Sequence, residues 1–82
     1  MTGRAGWSMD ASRERQLDHL ERLVLELVVE GLSTTEASRR LGVPVEHVRA
    51  HRQAAIAKLG AHSLIEAIII AMRRGLIRLP PS

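Results

Sequence analysis

The chain of 82 residues has no Cys, Phe or Tyr, a single Trp and only three Pro. Without Cys there is no disulfide framework, no thiolate zinc site and no cysteine nucleophile. A reducing compartment fits this composition, and the cytoplasm is the expected location. The longest uninterrupted apolar run, Ala67 to Met72, is far short of the roughly 20 residues that a membrane helix needs. Arg4 is followed by no apolar stretch, so a secretory leader is not expected. Lysine is nearly absent too: eleven of the twelve basic residues are Arg, and Lys58 is the exception. With so few aromatics, the core must be aliphatic and thin. In a chain this short, a second copy is a natural supplement. A catalytic cleft is hard to house, so an enzyme is not expected.

What is present is 45% hydrophobic and 26% charged residues, the balance of one globular domain. The formal net charge of +3 is unevenly spread. Residues 17–31 carry one Arg against four acids, a net −3. Residues 32–82 carry eight basic residues against three acids, a net +5. Residues 1–16 add +1, lack periodicity and read as an arm that is flexible or extends the first helix. Residues 78–82, with Pro80 and Pro81, read as a tail.

Between arm and tail, apolar residues recur at helical spacing, beginning with Leu17, Leu20, Val24 and Leu27. Three pairs have the form of capping boxes: Asp18 with Glu21, Ser33 with Glu36, and Ser63 with Glu66. Gly31, Gly42, Gly60 and Gly75 stand where helices end. No segment alternates as a strand does. The expected fold class is therefore all-α with four helices, and the short second helix, Gly turn and third helix have a helix-turn-helix layout.

On a wheel of about 100° per residue, Val48, Ala55 and Leu59 form the core side of the third helix, with Val45 and Ile56 nearby. The opposite side carries Glu46, Arg49, Ala50, Gln53 and Ala57. Arg forks onto guanine, Gln onto adenine, and Ala meets a thymine methyl while allowing close approach. His51, Arg52 and Lys58 flank this face, where phosphates would lie. Glu46 is repelled by phosphate, but it suits a helix N-terminus and can accept from cytosine. A solvated helix face is the plainer alternative.

The ungapped order of residues carries further information. Leu17-Asp18-His19-Leu20-Glu21, an apolar helix, and Gly31-Leu32-Ser33 are followed by Glu36, Leu41-Gly42-Val43 and Val48-Arg49-Ala50-His51. Lys58-Leu59-Gly60, Ser63, Glu66-Ala67, Ala71 and Gly75-Leu76-Ile77 complete the series. Over residues 17–77 it resembles the LuxR-type (GerE-like) helix-turn-helix domain. The resemblance implies four helices, the third entering a DNA major groove and the fourth mediating dimer formation. Position by position, it implies base reading by Arg49, Ala50 and Gln53. It places Thr34, His47, His51, Arg52 and Lys58 at or near phosphate positions. Location on the bacterial nucleoid follows from the same resemblance. Region four of a sigma factor is the alternative likeness, disfavoured by the fourth helix and by Val48-x-x-His51.

The chain departs from the family pattern in three places. Leu20 stands where the family usually has Arg, and Ala37-Ser38 where it has Ile-Ala. Pro44-Val45-Glu46-His47 replaces Ser-Pro-x-Thr. The last change removes a hydroxyl cap, a loss of about 1 kcal/mol. Pro44 is expected at the first helical position, where its fixed φ offsets part of that cost.

In the fourth helix, Leu64, Ala67, Ile68 and Ala71 form a core stripe, and Ile65, Ile69, Met72 and Leu76 a second. Together they span roughly 200°, about twice what one buried face requires. Ile70 with Glu66, Arg73 and Arg74 is left for water. A homodimer across the second stripe is the expected use, with cover by the arm as the alternative. His47 and His51 have a metal-compatible spacing but no third ligand, so no metal and no cofactor are expected. The expected partner is double-stranded DNA, bound by a stand-alone transcription regulator. The alternative is a helical module that keeps the fold and holds another protein.

Overall fold

Asp18 opens the first helix, α1 (His19–Val29), through a complete capping box. Its Oδ1 accepts the Glu21 N–H at 2.9 Å, and Glu21 Oε1 accepts the Asp18 N–H at 3.0 Å. The computed structural model describes residues 17–78, so the expected arm and the last residues of the tail lie outside the described residues. Gly31, at φ 94°, ends α1. The Leu32 N–H then reaches back to the Leu27 carbonyl at 3.0 Å. A side chain at such a φ would cost about 1–2 kcal/mol, which is why Gly punctuates this turn.

Ser33 and Glu36 form the second complete box and start α2 (Thr34–Leu41). Gly42, at φ 72°, closes it, and the Ser38 hydroxyl donates to the Val43 carbonyl across the turn. The departure at Ala37-Ser38 thus has a local use. Ala37 is buried, and Ser38 ties the corner between the two helices.

Pro44 is the N-cap of α3 (Val45–Lys58), not its first helical residue as the sequence suggested. Its ψ of 153° is extended, and it offers no side-chain cap. The Pro44 carbonyl instead accepts both the His47 N–H at 2.9 Å and the Val48 N–H at 3.2 Å. A 3₁₀-type bond of this kind satisfies an otherwise orphaned donor. Proline also adds no donor of its own that would need a partner.

The third box is one-sided. Ser63 Oγ accepts the Glu66 N–H at 3.1 Å and starts α4 (Leu64–Arg73). Glu66 reaches past Ser63 to the His62 N–H at 2.7 Å, with the His62 ring at 3.1 Å. Gly75, at φ 69°, follows α4, and the Arg78 N–H returns to Glu26 Oε2 of α1 at 2.9 Å.

Among the described residues there are four helices and no strand. α1 runs through the middle and serves two apolar clusters. Leu25 packs with Leu17, Ala55, Leu59, Ala67, Ile68, Ala71 and Ile77. Val24 and Leu27 pack with Ala37 and Val48. The alanines of α4 are wholly buried, which lets that helix lie close. Ile70, left for water by the sequence pattern, is partly buried against the first cluster together with Met72 and Leu76. No described helix is long and apolar enough to cross a membrane.

Candidate nucleic-acid interface

The burial of one side of α3 determines what the other side presents. Val48 and Ala55 are 2% and 0% exposed, and Leu59 is buried below them. Glu46, Arg49, Ala50, Gln53 and Ala57 are all exposed, as the wheel requires. Arg49 and Gln53 are four apart, and Ala50 and Gln53 three apart, so these side chains share one surface patch. A small residue between two long hydrogen-bonding ones lets a groove edge come close while Arg and Gln reach past it. His47 is exposed in the first turn of the same helix.

The five expected phosphate residues are not arranged alike. Thr34, at the start of α2, and Arg52 are brought together as neighbours lining one pocket. Among the described residues no carboxylate pairs with Arg52. His51 and Lys58 turn instead toward α1. Lys58 Nζ lies 3.0 Å from Glu21 Oε1, a carboxylate group only 4% exposed. A ring nitrogen of His51 and carboxylate oxygens of Asp18 and Glu21 lie within 4.8 Å of one another. Both carboxylates are already used, Asp18 in the cap and Glu21 in the cap and the Lys58 pair.

Glu21 is the residue that sequence reasoning missed. The sequence marks it as a box partner, yet it occupies the helix face of Leu17 and Leu25, each four residues away. That spacing is the signal that it points inward. A buried charge needs a partner, and Lys58 supplies it, joining the beginning of α1 to the end of α3.

The electrostatics favour an anionic partner. Residues 34–58 hold four Arg and Lys58 against Glu36 and Glu46. Glu36 is held below its ordinary pKa of 4.5 by the Ser33 backbone N–H first, then by the Ser33 hydroxyl, with Arg39 and Arg40 assisting. Glu66 is likewise lowered, by the His62 backbone N–H and then the His62 ring.

α4 exposes Ile65 (66%) and Ile69 (41%). Met72 and Leu76, expected in the same stripe, are partly covered by the core, so the bare apolar strip is narrower than the sequence pattern.

A family model described as bacterial regulatory proteins, luxR family (GerE), matches residues 15–71. The transcriptional regulatory protein YdfI of Bacillus subtilis (strain 168) is 36% identical over 64 residues. That alignment covers 78% of this chain and 30% of YdfI, so the chain spans less than a third of that relative. The solved structure of the transcription factor GerE superposes with a TM-score of 0.75 at 33% identity. The superposition covers 78% of this chain and 96% of the other.

Proposed function

The chain belongs to the luxR family of bacterial regulatory proteins, and from that premise we propose that it is a sequence-specific DNA-binding transcription regulator acting as a homodimer. The observation that carries this reading is the exposed Arg49–Ala50–Gln53 patch on α3, directly opposite the face that packs on α1 and α2. In this reading α3 lies in the major groove. Arg49 reads guanine through N7 and O6, and Gln53 and Ala50 refine the choice. Thr34, His47 and Arg52 meet the backbone and set register without carrying sequence. Lys58 acts through Glu21 of α1 by holding α3 in place, and His51 stands beside that pair at the edge of the phosphate path. Two copies joined along α4 by Ile65 and Ile69, with Met72 and Leu76 at the margin, straddle half-sites about one helical turn apart. The mechanism is occupancy of a site in the nucleoid, with no chemical step and no cofactor.

The test is fluorescence anisotropy of labelled duplexes from a random-sequence selection, read at several salt concentrations. The expected result is a selected set bound at least about a thousandfold more tightly than bulk duplex, with affinity falling steeply as salt rises. Uniform weak binding to all duplexes would overturn it. The exposed Ile65 and Ile69 favour one second reading, in which the domain holds another regulator through α4. That reading expects no sequence preference, together with a stable complex with a protein partner.

A further inference from the structure

A pocket of about 190 Å³ lies between α1, α2, α3 and the start of α4. Val24 and Val28 of α1, Val48 of α3 and Leu64 of α4 form its apolar wall. Its polar edge is Arg52 with Ser33 and Thr34 at the start of α2. Two observations define what would fit.

The first is size. An apolar cavity of roughly 150 Å³ accepts a benzene ring, so this pocket, open at its mouth, seats a body of about six to eight carbons. The second is charge. Arg52 is partly buried, and among the described residues no carboxylate answers it. Its stem can line an apolar wall while its guanidinium stays at the mouth, in the fork geometry that matches a carboxylate. The capping box occupies the Ser33 and Glu36 N–H groups and leaves that of Thr34, a lining residue, without an intrahelical acceptor. Glu36 lines a separate shallow surface with Leu32, Arg39 and Arg40.

We propose that this pocket binds a small amphiphilic monocarboxylate, with its compact apolar body against the half-buried Val28 and Leu64, over the buried Val24 and Val48, and its carboxylate on Arg52. An occupant and a DNA phosphate then compete for one guanidinium, which makes the pocket an effector site. That consequence rests on the DNA reading; the binding itself does not.

The test is a methyl-resolved NMR titration of the full chain, without DNA, using phenylacetate and its neutral analogue phenylethanol. Phenylacetate is expected to shift the Val28, Val48 and Leu64 methyls saturably. Arg52→Gln weakens phenylacetate by at least about tenfold, the loss of a charged hydrogen bond, and leaves phenylethanol unchanged. Val28→Phe fills the pocket and abolishes both, with the amide spectrum reporting that the fold is kept. The proposal is overturned by no saturable shift at those methyls. It is equally overturned by shifts centred on Ile65 and Ile69, or by an Arg52→Gln effect of equal size on acid and alcohol.

Discussion

At the scale of single residues, position on a helix and role in the molecule separate. Arg49 and Lys58 are both cations on α3, yet Arg49 is exposed and Lys58 is held by buried Glu21. Their substitutions should therefore fail differently. Arg49→Ala leaves the melting curve unchanged and removes discrimination at one base, about 1–3 kcal/mol in anisotropy competition between matched and mismatched duplexes. Retained discrimination would exclude Arg49 as a reader. Lys58→Met strands the Glu21 carboxylate. Loss of a partner to a fully buried charge costs roughly 3–5 kcal/mol; with Lys58 partly exposed, about 2 kcal/mol is expected in urea unfolding. The salt slope of DNA binding stays as in the wild type, whereas Arg52→Gln lowers it by about 1. A lower slope in Lys58→Met would return that side chain to the phosphate contacts. The outward face of α3 was legible because periodicity alone sets it. The Lys58–Glu21 pair was not, because a wheel gives a direction around one helix and says nothing of what another helix places there.

At the scale of elements, the helix boundaries were the most legible feature, since caps are local chemistry written in adjacent residues. Asp18–Glu21 and Ser33–Glu36 close as reciprocal boxes. The two exceptions have physical reasons. Glu66 prefers the His62 backbone N–H and ring over Ser63, so its box opens one residue outward. Pro44 caps through its carbonyl because it has no side-chain acceptor. The Glu36 and Glu66 caps contribute to an acid limit on the fold. Glu36 and Glu66 both titrate below the ordinary 4.5 in the folded chain. A carboxylate lowered by folding stabilises the native state above its unfolded pKa, and that stabilisation is lost as pH falls through the folded value. Urea midpoints are thus expected to hold near neutral pH and to decline on acidification below 4.5. In the double variant Glu36→Gln, Glu66→Gln that decline should be shallower, because Gln keeps an acceptor but does not titrate. An equally steep acid limb in the double variant would show that other carboxylates set it.

At the scale of the whole molecule, thin core, bare helix and skewed charge meet in one arrangement. The described chain buries its aliphatic residues in two small clusters on either side of α1, and no aromatic enlarges them. Two isoleucines remain outside, four residues apart on α4, and only a neighbouring molecule or chain segment can remove them from water. Burying a fully exposed side chain of this kind contributes about 1.5–3 kcal/mol; Ile65 and Ile69 are 66% and 41% exposed, so each of the four in a symmetric contact contributes part of that. For two half-sites to be read at once, that contact must set the two α3 faces on one side of the assembly. Ile69→Glu places a carboxylate in that contact and leaves the core of each copy intact. In sedimentation equilibrium the wild type should have twice the 9.1 kDa mass of the chain, and Ile69→Glu the single mass with an unchanged helical signal. DNA affinity should then fall by far more than any change in monomer stability explains, because each half-site is bound alone. A variant that keeps the double mass would move the dimer contact away from α4. A wild type of single mass would leave Ile65 and Ile69 to a different partner.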